Sequence, residues 1–419
     1  MVAIFLVCLL IGVPIAFAMG LSSLIYIIVE DIPLAMATQR FFSNTQSFAF
    51  LAVPFFIFAG NLMIHASIAQ RIINLANATV RQLPGGLGCV SVLTSMGMAG
   101  VSGSSIADAA STGSVLIPEM KRKGYPASFA AAINASSSVV GIIIPPSTTM
   151  IIIAWLADQS VGKLFMAGVI PGILIGVFYL LVTIYIAVIR GYPKEDKPTL
   201  KEFLDSALKA SWALVLPIII IGSIVFGIAT ATEAAAISVV YAFLVGVVVY
   251  RTLTIKGIWQ SLKETVYATS VVMFMICTSM IFTWILITGG VPGEIYDFIT
   301  GLGMQDWMVL LTIIVIMLAA GMVMELVPNL FLFIPIFFPI AHEIGLDSIH
   351  FSIVMLVAFS LGMFTPPVGS TLFISCYIGK VTIESTIKDI IPYFIAGVAV
   401  LLIIAYIPKL TLWLPNLIG

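Results

Sequence analysis

The chain has 419 residues, 61% of them apolar and only 9% charged, with a mean hydropathy of +1.19 and a formal net charge of −1. Soluble globular chains carry roughly 25% charged residues, so this composition excludes a soluble globular protein and implies an all-α polytopic membrane protein. The near-zero charge singles out no partner beyond the lipid bilayer, and no nucleic acid is expected.

Met1 is followed at once by an apolar run with neither a basic leader nor a small-residue cleavage site, which predicts a retained first helix over 3–28. A second span is expected over 48–65, and an amphipathic interfacial segment over 67–82. An apolar segment at 86–118, broken by Gly and Ser, predicts a hairpin; 126–157, broken by Pro-Pro, predicts a discontinuous helix; 164–190 predicts a span. The polar stretch at 191–208 reads as a cytoplasmic linker. Spans follow over 210–228, 232–250 and 265–288, then an amphipathic segment at 291–302. A second broken hairpin is expected over 306–340, a second discontinuous helix over 349–378, and a last span over 389–415. Cys8, Cys89, Cys277 and Cys376 lie singly in apolar text and read as packing residues. His65, His342 and His350 fall at span ends and read as interfacial, as do Trp155, Trp307 and Trp413.

The punctuation of this text repeats at an offset of 221 residues. Gly100, Pro118, Gly124, Gly141, Pro145, Pro146, Pro171 and Gly176 return as Gly321, Pro339, Gly345, Gly362, Pro366, Pro367, Pro392 and Gly397. Composition alone would give about one such coincidence, so the chain is an internal duplication. The first half is expected over 1–190, and a connecting helix with the second half over 209–419. If each broken hairpin enters and leaves on one side, fifteen of the eighteen Lys and Arg fall on one face; only Arg40, Lys163 and Lys409 fall on the other. The positive-inside rule makes the crowded face cytoplasmic. Lys121-Arg122-Lys123 in the first copy corresponds to the base-free His342-Glu343-Ile344 in the second, which implies inverted-topology repeats with two re-entrant hairpins and two discontinuous helices.

In membrane proteins, segments broken by Gly or Pro at matching places point to the ion and substrate sites of a secondary transporter. Two successive prolines remove two backbone donors and leave the preceding carbonyls unpaired, which hydrocarbon tolerates only if another group takes them over. A cation does so, together with Ser and Thr hydroxyls, while the half-helix beginning after the break offers its amides to a carboxylate. One such break can be a packing kink; two at equivalent positions, each facing a broken hairpin, favour a site. Intramembrane carboxylates are few. Glu325 at the second hairpin break is expected to bind a cation or substrate hydroxyls. Asp108 is expected either to join the site or to cap a half-helix. Glu233 is a candidate for an interhelical bond.

The motif G-x-S-G-S-S-x-A-D at 100–108, the two G-x(3)-P-P breaks beginning at Gly141 and Gly362, the text GVPIAFAMGL at 12–21 and LPGGL at 83–87 resemble the large membrane subunit of TRAP (tripartite ATP-independent periplasmic) transporters. The resemblance spans essentially the whole chain. It implies an elevator-type carrier with a moving transport domain braced by a scaffold, in a bacterial inner membrane, taking up a carboxylate such as a C4-dicarboxylate or a sialic acid-like sugar acid. Two or more sodium ions are implied. One would sit among Ser102, Gly103, Ser104, Ser105, Gly141, Ile144, Pro145 and Ser147, the other among Gly321, Glu325, Pro328, Asn329, Gly362, Thr365, Pro366 and Gly369. Substrate would lie between them, against Ser102, Ser147, Thr149, Glu325 and Thr371. The family pattern leads one to expect an aspartate near the second hairpin break, where this chain has Glu325. Implied partners are a small membrane subunit, expected as a separate chain, and a periplasmic substrate-binding protein. A stand-alone sodium/dicarboxylate symporter is the alternative within transport. An intramembrane protease is disfavoured because no HExxH occurs and no His adjoins the Gly-Ser run, so no enzymatic activity is expected.

Overall fold

A computed structural model of the chain describes residues 1–43, 48–301 and 303–418, and these contain helices and connections with no strand among them. Leu302, which ends the expected segment 291–302, and Gly419, which ends the expected second half, lie outside the described residues. Seven helices among those described are long and apolar enough to cross a membrane, or up to nine if each of two bent pairs counts as one span.

The first apolar run is two helices rather than one, α1 (Val2–Leu10) and α2 (Ile15–Val29). Gly12 takes a φ of +82° and Pro14 has no amide to continue a helical ladder, so the run breaks there. Next come α3 (Leu34–Ser43), α4 (Ala52–His65) and α5 (Ile68–Val80), the last turned 69° from α4. In the segment expected to lie along the interface, Ile68, Ile72, Ile73 and Ala76 form an apolar face buried against the protein. The first hairpin is α6 (Gly86–Ser102) and α7 (Ser105–Arg122). The first broken helix is α8 (Ala127–Ser138), α9 (Val140–Ile143) and α10 (Thr148–Leu156), with a 50° bend at Pro145-Pro146. The 30-residue α11 (Val161–Arg190) follows.

The linker is shorter than expected, because a capping box of Thr199 and Glu202 starts α12 at Leu200 (Leu200–Val225). A second capping box, Thr230 with Glu233, starts α13 (Ala231–Leu244). Glu233 thus serves its own helix start instead of bonding a neighbour. After α14 (Ile255–Thr288) and α15 (Val291–Gly301) comes the second hairpin, α16 (Asp306–Val323) and α17 (Leu326–Glu343). The second broken helix is α18 (Ser348–Gly362) and α19 (Ser370–Gly379). The expected last span is again two helices, α20 (Ile383–Tyr406) and α21 (Lys409–Ile418), parted at Pro408.

Side-chain contacts fix which helix ends lie together. Lys121 Nζ at the end of α7 donates to Gly379 O at the end of α19 (3.0 Å), Lys123 pairs with Glu195 (2.9 Å), and Tyr125 Oη donates to Pro193 O (3.1 Å). Glu195 N–H donates to Arg81 O just before α6 (3.1 Å), and Arg190 pairs with Asp389 near the start of α20 (2.5 Å). The base of the first hairpin, the end of α11 and the start of α20 therefore share one end of the molecule. At the far end of α20, His350 Nε2 lies 3.1 Å from Ala405 O, Tyr406 Oη donates to Trp307 O (2.9 Å), and His342 meets Ser348 (3.1 Å). That end holds the base of the second hairpin. Sixteen residues of helix separate Asp389 from Ala405, about 24 Å at 1.5 Å per residue. The two hairpins rise from opposite ends. At the end of the second hairpin's base, His350 is 1% exposed and also bonds Thr411 (2.8 Å).

Candidate functional site

The four breaks lie together. At the first hairpin tip, Gly103 takes a left-handed φ of +58°, which ends α6, and Ser104 caps α7 by accepting the Ala107 N–H (3.4 Å). Thr148 Oγ1, just past the first Pro-Pro pair, donates to Gly103 O (3.1 Å). At the second tip, Val368 N–H, just past the second Pro-Pro pair, donates to Met322 O (3.2 Å). Each hairpin tip is thus tied to the break of its own half. Gly321 and Gly362 make the second meeting possible, since a Cβ on Gly362 would lie 2.2 Å from the Gly321 carbonyl carbon. Ser105 Oγ lies 3.6 Å from Met363 Sδ and links the first tip to the second break.

Between the tips lies a cavity of about 530 Å³. One wall is formed by residues 102–107, Ile142, Thr148 and Thr149 with 325–328 and Met363; the other is formed by α4 and α14, including Asn61, Glu264 and Tyr267. Its charged lining residues are Glu264 and Glu325, with no Lys or Arg among the described residues that face it. Glu264 is held by His65 (3.2 Å) and Gln260 (2.9 Å).

Behind each hairpin tip sits a buried oxygen without a partner. Asp108 is fully buried; its Oδ1 accepts from Ser102 Oγ (2.5 Å), and its Oδ2 has no hydrogen-bond partner. Gly141 makes room for it, because a Cβ there would lie 2.2 Å from Oδ2. Asp108 does not cap a helix; Ser104 does. Asn329, which is Asp108 plus 221, is also fully buried, with Nδ2 donating to Met324 O (3.1 Å) and Oδ1 unpartnered. An orphaned buried polar atom costs about 1–3 kcal/mol. Two at corresponding positions, both oxygens, are the donor chemistry a hard cation takes.

Of the residues expected at the site, Ser102, Gly103, Ser104, Ser105, Thr149, Glu325 and Pro328 line the cavity. Ser147 and Thr371, expected against substrate, do not. Ser147 is fully buried and caps α10 by accepting Met150 N–H (3.4 Å). Thr371 is fully buried, with Oγ1 near Met363 O (2.9 Å) and Ala135 O (3.2 Å). Ile144 and Pro145 stand in the first break, where Ile144 packs on Gly172 of α11. In the second, Thr365 Oγ1 turns back to Leu361 O (2.7 Å), and Gly369, with a φ of +47°, starts α19 after Pro366. Sequence reading missed Asn134, Thr112 and Ser375, a buried polar cluster behind the tips. A lone Asn inside ASFAAAINASSS was its signal.

Residues 2–410 match the family model described as tripartite ATP-independent periplasmic transporter, DctM component. The chain belongs to this family. It is 40% identical over 380 residues to the C4-dicarboxylate TRAP transporter large permease protein DctM of Pseudomonas aeruginosa, covering 91% of this chain and 89% of that one. It is 34% identical over 407 residues to the sialic acid TRAP transporter large permease protein SiaM of Vibrio cholerae, covering 97% and 95%. The YdaH transporter of Alcanivorax borkumensis shares the fold, with a TM-score of 0.65 at 14% identity over 91% of this chain and 90% of that one. The chain is therefore a large membrane subunit of the TRAP type.

Proposed function

We propose that this DctM-family subunit carries out sodium-coupled uptake of an organic acid, a C4-dicarboxylate or a sugar acid, across a bacterial inner membrane. Relatives at 34–40% identity are named for C4-dicarboxylate and sialic acid transport. A periplasmic binding protein delivers the solute, and a small membrane subunit completes the assembly. The observation that carries the reading is the pair of buried, unpartnered oxygens, Asp108 Oδ2 and Asn329 Oδ1, behind two hairpin tips that face one cavity.

The two hairpins are read as re-entrant and the halves as inverted repeats; bases at opposite ends of the molecule support this. One sodium site is formed by Ser102 to Ser105 and Asp108 with Gly141 to Pro145. The other is formed by Asn329 with the carbonyls of the Gly321 and Gly362 breaks. A cavity lined by Glu264 and Glu325 without a basic residue repels a bare anion, so cations must enter first and reverse the local field. Ser104, Ser105 and Thr149 then offer hydroxyls to the carboxylate, and Glu325 accepts from substrate hydroxyls. The hairpins and broken helices move as one transport domain against a scaffold that includes α4 and α14, exposing the cavity to each side in turn. Each net positive charge that enters gains about 2.3 kcal/mol per 100 mV of interior-negative potential.

Proteoliposomes holding the large and small subunits with the binding protein test the reading. Uptake is expected to require an inward sodium gradient and to be nearly silent without the binding protein. Uptake that persists in sodium-free buffer sinks the sodium coupling, and full uptake without binding protein favours a stand-alone symporter.

A further inference from the structure

We propose that Asn134 is a positioning residue that locks the second broken helix onto the first hairpin, so that the two cation sites fill cooperatively; this rests on the sodium-coupled reading above. Asn134 lies in α8 and is 1% exposed. Its Nδ2 donates to Ala109 O in α7 (2.9 Å) and to Ser375 Oγ in α19 (2.9 Å), and its Oδ1 accepts from Thr112 Oγ1 (2.9 Å). Both amide hydrogens are engaged, and the carbonyl shares the single Thr112 hydroxyl hydrogen with Asp108 O. Gly113 supplies the space, since a Cβ there would lie 2.7 Å from Asn134 Nδ2.

The cluster reaches both sites. Thr112 Oγ1 also lies 2.6 Å from Asp108 O, the backbone of the residue whose carboxylate faces the first break. Beside it, Ala135 O lies 3.2 Å from Thr371 Oγ1, which is 2.9 Å from Met363 O at the second break. Thr371 and Ser375 stand one turn apart on one face of α19. A cation that reorders the start of α19 therefore moves the same rigid turn that Asn134 grips, and Asn134 grips α7 behind Asp108.

The duplication supplies an internal comparison. Shifting by 221 residues, the counterparts of Asn134, Thr112 and Ser375 are Met355, Phe333 and Ala154 (134 + 221, 112 + 221, 375 − 221). All three are apolar. The polar lock exists on one side only, so it is not a by-product of the repeat. An apolar contact tolerates sliding, whereas a buried hydrogen-bond network constrains its members to one arrangement. Coupling through it is reciprocal: each site binds its ion more tightly when the other is filled.

The test is the sodium dependence of uptake in proteoliposomes with both partner subunits. Ser375→Ala and Thr112→Val each delete one contact of the lock, and Asn134→Leu deletes all. A sigmoidal wild-type sodium curve is expected to become shallower in the first two variants, its Hill coefficient falling to that of two independent sites that must both be filled, with the substrate KM at saturating sodium unchanged. If Asn134→Leu fails to insert, the two milder variants carry the test. Ser136→Ala, a buried serine on the same helix that bonds its own turn (2.9 Å to Ala132 O), is expected to keep the wild-type curve. An unchanged Hill coefficient in Ser375→Ala and Thr112→Val overturns the proposal, as does a wild-type curve that is already hyperbolic. Reduced thermal stability with unchanged cooperativity also overturns it, leaving a structural role alone. Uptake indifferent to sodium in the wild type overturns the sodium-coupled reading instead, and this proposal with it.

Discussion

A carboxylate oxygen buried beside a glycine is the smallest unit of this machine. Asp108 Oδ2 has no partner and Gly141 leaves the space next to it. Asp108→Asn keeps the shape and removes the charge, so the sodium concentration for half-maximal uptake is expected to rise at least about tenfold, equivalent to 1.4 kcal/mol. An unchanged value would remove Asp108 from the cation site. Gly141→Ala puts a methyl 2.2 Å from that oxygen; it is expected to abolish sodium-driven uptake while the protein still inserts. Gly222→Ala, at a helix position with nothing within 4 Å, is the matched control and should transport normally. The motif at 100–108 made Ser102 to Ser105 legible as a tip. It did not show which way Asp108 turns, because a residue four after an N-cap can face the cap, the core or solvent, and only the packing of α9 on α6 selects among them.

The two Pro-Pro pairs and the Gly-Ser tip were legible as breaks because each removes or frees a backbone partner in place. The caps at Ser104, Ser147, Thr199 and Thr230 were not read from the sequence, and the one expected cap, Asp108, is none. Asp347 caps α18 by accepting the N–H groups of Ile349 (2.8 Å) and His350 (3.0 Å). Asp347→Ala is expected to lower stability by about 1 kcal/mol, read as a fall in melting temperature in detergent, with sodium dependence unchanged. A shifted sodium dependence would mean that the start of α18 reaches the site. Continuous apolarity was a poorer guide. It hid the breaks at Gly12 and Pro408, and it did not show that Ile68, Ile72 and Ile73 of α5 pack against the protein. In a membrane chain both lipid and protein accept apolar side chains, so hydropathy does not separate a buried face from a lipid-facing one.

At the scale of the molecule, the charges and the contacts tell one story. Lys121, Lys123, Arg190 and Arg81 gather at one end with Gly379, Glu195, Asp389 and Glu202, while Trp307, His342 and Ala405 gather at the other. Single cysteines at Arg122 and Glu343, introduced after replacing the four buried native cysteines, are expected to react with an impermeant thiol reagent from opposite sides of the membrane. Labelling from one side would undo the opposed hairpins and the shared cavity with them.

The 221-residue echo, the broken segments and the family motifs were fixed by sequence, since each depends on backbone chemistry or residue identity at a known position. Which side chains share a wall depended on folding. Ser147 and Thr371 sit in the right turns yet face away from the cavity, and Asn134 joins partners 241 residues apart in Ser375 and 25 apart in Ala109. Rotation about a helix axis and the docking of one half on the other set those contacts, and both are settled by long-range packing that no local pattern encodes.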